Sequence, residues 1–274
     1  MPQPQGTQRI VSLSPAVCDL MRTLGLDDSL VGRSAYDAWS DPSLPSCGEL
    51  GKIDYEALLS TRPTHIYIQE SRTPDRLEEL ARTNQWIVRN LKLLTLDEVR
   101  GSLRDIAALS SQQPGVNESL AWIEREMDRA WSPRAGSDFA RAGRVLLLAS
   151  VDPPSALGPG SFHQQVLERM GGVSAMTDGP PYATLDAEDI LRLAPDAIVL
   201  VLPREPGESR REGAGSVDVL RARLGVIGRL EIPAVRNGRL ALLDDPKSHL
   251  PSTALISLAD ELAEILTAWS REPK

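Results

Sequence analysis

The stretch DAEDILRLAPDAIVLVLP, residues 186–203, reads as a capped helix that stops at a proline and runs into an apolar strand. The same sentence stands at residues 54–69, as DYEALLSTRPTHIYIQ. Each opens on an Asp with a Glu two residues later, then an apolar pair (Leu58-Leu59, Ile190-Leu191), then a Pro seven residues after the Glu. Asp54 and Asp186 suit the N-cap position, because a short carboxylate can accept from the unpaired backbone N–H groups of the first turn. Ile53 with Leu58, and Leu185 with Ile190, occupy the two positions of a hydrophobic staple. Pro63 and Pro195 end the helices, since a proline disfavours helical backbone in the residue before it. A short helix leading straight into an apolar strand is a unit of a parallel sheet. Its repetition 132 residues apart predicts two such sheets.

The flanking sequence extends the repeat. RIVSL (9–13) reads as a strand, Ser14 as a cap and Pro15 as a first helical residue. Val17, Leu20, Met21 and Leu24 then share one helical face, and Gly25 closes it. In the second half RVLLLAS (144–150) is a strand, VDPPSALGPG (151–160) a turn-rich loop, and SFHQQVLERMGG (161–172) a helix with a glycine stop. The strand region 232–245, containing Val235-Arg236-Asn237, parallels 85–97, containing Val88-Arg89-Asn90. Helices are expected over 75–84, 97–110 and 251–269, and an amphipathic helix over 117–131, stopped by Pro133, joins the halves. The expected organisation is an N-terminal α/β lobe over 1–112, a bridging helix and connector over 113–143, and a C-terminal α/β lobe over 144–274. Each lobe is Rossmann-like with a parallel sheet, and a ligand cleft lies between them. Right-handed crossovers would gather the loops at the strand C-terminal ends on one edge of each sheet.

Composition narrows the function. The 274 residues carry a net charge of −8, which repels nucleic acid and anionic membrane as main partners. No apolar run is long enough to span a bilayer. The opening MPQPQGTQ lacks basic and apolar segments, so it does not read as a signal peptide. Two cysteines, Cys18 and Cys47, exclude a disulfide scaffold or a four-thiolate cluster. GPGSFH (158–163) is a poor dinucleotide fingerprint, with His163 where a third glycine would stand. Walker, nucleophile-elbow and zinc-ligand patterns are missing, so no enzyme is expected. Only 4% of residues are aromatic, yet Tyr36 and Trp39 share one polar loop (32–52). His65 falls within a strand and reads as structural. His163 and His249 are candidates to reach a bound metal axially.

RIVSLSPA, LVGRSAYD, IDYEALLSTRP, DPPSALGPGSFHQQVLERMGG and LDAEDILRLAPDAIVL, in this order and spacing, resemble the helical-backbone substrate-binding proteins of ABC importers. These serve cobalamin, haem and iron-siderophore complexes, and the cobalamin-binding branch is the most similar. The resemblance implies two lobes bridged by one helix, no catalysis and no resident cofactor. It also implies a corrinoid ligand such as cobalamin, with haem or an iron-siderophore as alternatives. Ligand contacts then fall to Tyr36, Trp39, Leu50, Gln69, Tyr182 and the loop Asp245, Pro246, Lys247, Ser248, His249. The branch has tryptophan at the Leu50 and Gln69 positions, and a basic residue is expected near His249. Glu56 and Glu188 correspond to the pair that docks on the importer's permease dimer. A monomer working outside the cytoplasm is implied, whereas the polar N-terminus leaves a cytoplasmic binder without an importer as an alternative. A nitrogenase-like oxidoreductase shares the lobe layout but would need more cysteines.

Overall fold

The structure, a computed structural model, describes residues 8–49, 51–210 and 212–271. The chain separates into two compact units. Unit 1 runs to Leu93 and from Asp97 to Glu124; unit 2 takes Leu94–Leu96 and everything from Arg125 on.

Unit 1 contains β1 (Ile10–Ser12), α1 (Pro15–Thr23), β2 (Leu30–Gly32), β3 (Gly48–Glu49), β4 (Lys52–Ile53), α2 (Tyr55–Ser60), β5 (His65–Ile68), α3 (Asp75–Asn84) and β6 (Ile87–Asn90). Helix α4 (Leu96–Leu109) follows, and α5 (Val116–Ala130) carries the chain from unit 1 into unit 2. The main sheet has the order β2-β1-β5-β6, with every pairing parallel. Strand β5 is buried along its whole length, as expected when both faces of a parallel sheet are covered. Ser14 caps α1 by accepting from Val17 N–H, and Pro15 opens the helix. The β3/β4 hairpin depends on Gly48, whose φ of +117° excludes a side chain; an added Cβ would lie 2.4 Å from the Lys52 carbonyl.

Unit 2 contains β7 (Arg144–Val151), β8 (Pro154–Leu157), α6 (Phe162–Arg169), β9 (Val173–Ser174), β10 (Tyr182–Thr184), α7 (Ala187–Leu193), β11 (Ala197–Val201), α8 (Val217–Arg223), α9 (Pro233–Arg236), β12 (Leu240–Leu243) and α10 (Ala254–Arg271). Its sheet has the order β10-β8-β7-β11-β12, and β9 pairs with the start of β7. Strands β7, β9, β11 and β12 are parallel; β8 is the reversed strand, pairing antiparallel with both β7 and β10. The α/β class with parallel sheets therefore stands, with an antiparallel extension in unit 2.

Helices α2 and α7 are built alike. Asp54 Oδ1 accepts from Glu56 N–H (3.1 Å) and Ala57 N–H (3.0 Å). Asp186 Oδ1 accepts from Asp189 N–H (2.8 Å), and Asp189 returns a bond from Asp186 N–H (3.2 Å), completing a capping box. The staple residues Leu58 and Ile190 are fully buried, worth about 1.5–3 kcal/mol each. Both helices also finish on a left-handed residue placed directly before the proline, Arg62 (φ 47°) and Ala194 (φ 42°).

Two expectations fail locally. Residues 151–160 are not all loop, because Pro154–Leu157 forms β8 between β7 and β10. A proline is tolerated as the first residue of a strand, and the short apolar run after it gave no clear alternation. The Val-Arg-Asn echo is a coincidence: Val88–Asn90 lies in β6, whereas Val235 and Arg236 lie in α9. Pro233 presets a helical turn there, and Gly238 (φ 65°) redirects the chain before β12 begins.

Candidate functional site

In unit 1 the parallel strands bring their C-terminal ends to one edge, and the loops leaving them meet there. Ser14, after β1, donates through Oγ to Gln69 Oε1 at 2.7 Å, so Gln69 sits against the turn into α1. At the end of β6, Asn90 Oδ1 accepts from Glu70 N–H at 3.0 Å, and the Glu70 carboxylate accepts from Gly51 N–H.

The loop after β2 carries Tyr36 and Trp39 on either side of Asp37. Asp37 is buried, 3.7 Å from the Arg22 guanidinium of α1, and its Oδ1 accepts from Trp39 N–H at 3.1 Å. Arg22 also holds Asp19 (3.3 Å) and donates to Ser40 Oγ (3.1 Å). Arg33 donates to the Asp37 carbonyl at 3.0 Å. A buried carboxylate is expensive to leave without its cation, so Asp37 and its part-exposed partner Arg22 fix the loop. Tyr36 is consequently displayed, at 66% exposure, and Trp39 is half-buried. The Glu49 carboxylate accepts from the Tyr36 hydroxyl and pushes its pKa above the ordinary value. Leu50 lies outside the described residues.

In unit 2 the loop after β12 is pinned from two sides. His163, in the first turn of α6, donates from Nε2 to the Ser248 carbonyl at 2.9 Å. His249 donates from Nε2 to the Val201 carbonyl at the end of β11, also at 2.9 Å. The two imidazoles meet edge-on with centroids 5.3 Å apart. Asp245 turns the loop internally, accepting from Lys247 N–H at 2.7 Å. Asp245, Pro246, Lys247 and His249 are half-buried, Ser248 is buried, and Tyr182 projects from β10 at 54% exposure.

His163 is not a candidate axial ligand. Its Nε2 is committed to Ser248 and its Nδ1 is buried without a protein partner. Burial, with His249 beside it, pushes its pKa down to about 3, so the ring is neutral. His249 has likewise spent Nε2 on Val201, which leaves only Nδ1 for any ligand. His65 is structural as expected, buried in β5 with Nδ1 2.9 Å from Thr64 Oγ1. Among the described residues, no group of three or more His, Cys, Asp or Glu is placed to hold a metal ion, and no helix is long and apolar enough to cross a membrane.

Two features were invisible in the sequence. The first is the Arg22–Asp37 anchor, which joins a helix to a loop. The second is Asp244, buried at the end of β12 and held by Arg204 Nε (3.2 Å) and Arg210 Nε (3.4 Å) from the polar loop after β11. That pairing ties the 204–210 loop to the root of the 245–249 loop. Each contact joins residues far apart in the chain, and no periodicity announces it.

Glu56 and Glu188 are the second residues of α2 and α7, and both are exposed. Glu56 also lines a surface concavity of about 620 Å³ with Glu49, Lys52, Asp54, Tyr55 and Arg76, where the Arg76 guanidinium stacks over the Tyr55 ring at 4.4 Å.

Comparison with known proteins agrees with this architecture. A vitamin B12-binding protein of Pectobacterium carotovorum subsp. carotovorum (strain PC1) is 26% identical over 200 residues, covering 70% of this chain and 71% of that protein. The crystal structure of the periplasmic vitamin B12 binding protein of Vibrio cholerae superposes with a TM-score of 0.72 at 20% identity, covering 97% of this chain and 98% of its own. The periplasmic haem binding protein of the same organism gives 0.72 at 20% identity, covering 96% and 99%. These are binding proteins that take a ligand, not enzymes. The model of the family described as periplasmic binding protein matches residues 10–246, and this chain belongs to that family.

Proposed function

We propose that this protein is the solute-binding component of an ABC importer and that its ligand is a corrinoid of the cobalamin type. A flat macrocycle is recognised by aromatic surface plus a few fixed polar groups. The observation that carries the proposal is the anchored loop after β2, which displays Tyr36 and Trp39 around the buried Asp37, held by Arg22. Gln69 and the pinned 245–249 loop supply polar contacts. Haem is the second reading, and Tyr36 separates the two. A tyrosine that ligates haem iron does so as phenolate. The hydrogen bond to Glu49 opposes that ionisation, so a corrinoid suits Tyr36 better.

Capture takes place outside the cytoplasm by a monomer. Delivery follows through Glu56 and Glu188 onto a permease dimer, which offers two equivalent surfaces to a chain carrying two equivalent helices. The test is a titration with cobalamin, cobinamide and haem, followed by ligand absorbance and by Tm. Cobalamin or cobinamide should raise Tm, and Tyr36→Ala should weaken binding tenfold or more without lowering the Tm of the free protein; Trp39→Ala should weaken binding as strongly. A Tm shift with haem alone favours the second reading. No shift with any of the three overturns both. Fractionation of the native cell tests the compartment; recovery in the cytosol would favour a binder without an importer.

A further inference from the structure

We propose that each importer-facing surface is a two-residue device, an exposed glutamate with an exposed leucine one helical turn on: Glu56 with Leu59 on α2, and Glu188 with Leu191 on α7. The proposal rests on the reading of Glu56 and Glu188 as docking residues and names what else the partner must recognise. Leu59 and Leu191 are 42% and 45% exposed. Each directly follows the buried staple residue of its helix, Leu58 or Ile190, and therefore points away from the core. Each stands three residues after its glutamate, which makes the two side chains neighbours on the helix surface.

A single exposed leucine is ordinary. The repetition is not, because both leucines occupy the fifth position after an Asp cap, in helices whose caps, staples and terminal prolines also match. The staple and cap account for folding in both helices without them. A surface feature repeated once per unit, and idle within each unit, fits a partner that presents its complement twice. The chemistry of that complement follows: a cationic side chain for the glutamate, beside an apolar hollow for the leucine. A net charge of −8 favours encounter with such a cationic surface. The carboxylate steers association and fixes register, whereas apolar burial slows departure.

The experiment measures binding of the full chain to its host's ABC importer for the chelate it binds, purified and embedded in lipid nanodiscs, with empty nanodiscs as control. Four proteins are compared: wild type, Glu56→Arg/Glu188→Arg, Leu59→Ala/Leu191→Ala and Leu59→Met/Leu191→Met. Leu→Ala should weaken binding about fivefold per site, about 25-fold for both, from the half-exposed area that docking would cover. The loss should fall on the dissociation rate, with the salt dependence unchanged. The methionine pair should retain most of the affinity. Charge reversal should abolish binding. Chelate affinity and Tm should match wild type in both leucine variants. If wild type binds and the alanine pair changes affinity less than twofold, this proposal is wrong and the importer reading stands. If wild type binds the importer no better than empty nanodiscs, the importer reading itself fails and takes this proposal with it.

Discussion

Acidification should destabilise this protein, most of all through one imidazole. His163 is 2% exposed, its Nε2–H is held by Ser248, and its Nδ1 faces no protein partner. A proton on Nδ1 would place a charge in a buried site with His249 5.3 Å away. The folded protein therefore resists protonation until about pH 3, whereas the unfolded chain takes the proton at the ordinary 6.5. The unfolded state then binds more protons throughout that window. Stability is fully present above pH 6.5 and falls as pH drops toward 3. Integrating over one site, moving from pH 8 to pH 5 should cost about 2 kcal/mol. His163→Gln isolates this contribution, because a glutamine amide can still donate to the Ser248 carbonyl but cannot take up a proton. Urea denaturation followed by circular dichroism, at pH 8, 6.5 and 5, gives the two slopes. The wild type should lose about 2 kcal/mol more than the variant between pH 8 and 5. Parallel pH profiles would mean that folding does not depress the basicity of His163, and the account of the pinned loop would fall with it.

Three further outcomes follow from the same geometry. Asp54→Ala and Asp186→Ala should each lower stability by about 1 kcal/mol, and Asn at either position should recover most of it; equal damage from Asn and Ala in urea denaturation would show that the carboxylates are not acting as caps. Asp244→Asn should loosen the loop after β11, which Arg204 and Arg210 hold to that carboxylate, and make cleavage after Arg204 or Arg210 by trypsin severalfold faster; an unchanged digestion pattern refutes the clasp. Burial pushes the Cys18 thiol up to about 12 and the Cys47 thiol up to about 11, so neither should react with a disulfide reagent at pH 8 until the protein is unfolded, when two equivalents should appear.

Local chemistry made the framework legible. Ser14 before Pro15, the two Asp caps with their staples, and the apolar run Ala197–Val201 each declare their structure within a few residues, and each is found where the sequence places it. What stayed hidden depends on partners far away in the chain. Pro154–Leu157 becomes a strand because β7 and β10 flank it, a circumstance its composition does not carry. The Val-Arg-Asn echo shows the opposite failure, since identical residues enter a strand beside one proline-free run and a helix after Pro233. At the candidate site, the aromatic loop could be picked out by composition, but its anchor could not: Asp37 is one of many acidic residues until Arg22 is placed against it. His163 was misjudged for the same reason, since the sequence displays an imidazole and hides the Ser248 carbonyl that occupies it.

The duplication itself separates folding from function. The sheets of the two units differ, one wholly parallel and the other extended through β8, which pairs antiparallel with both β7 and β10. What the two units share is the short helix before an inner strand, β5 or β11, down to a left-handed residue ahead of the proline, a conformation that costs a non-glycine residue about 1–2 kcal/mol. The cap, the staple and the proline explain why such a helix folds. They leave Leu59 and Leu191 unexplained, because exposed side chains contribute little to the stability of six- and seven-residue helices, whereas Glu56 and Glu188 also stand in the first turn, where the helix dipole favours a carboxylate. A feature that two diverged halves share, and that neither half needs in order to fold, is best accounted for by something both halves must touch.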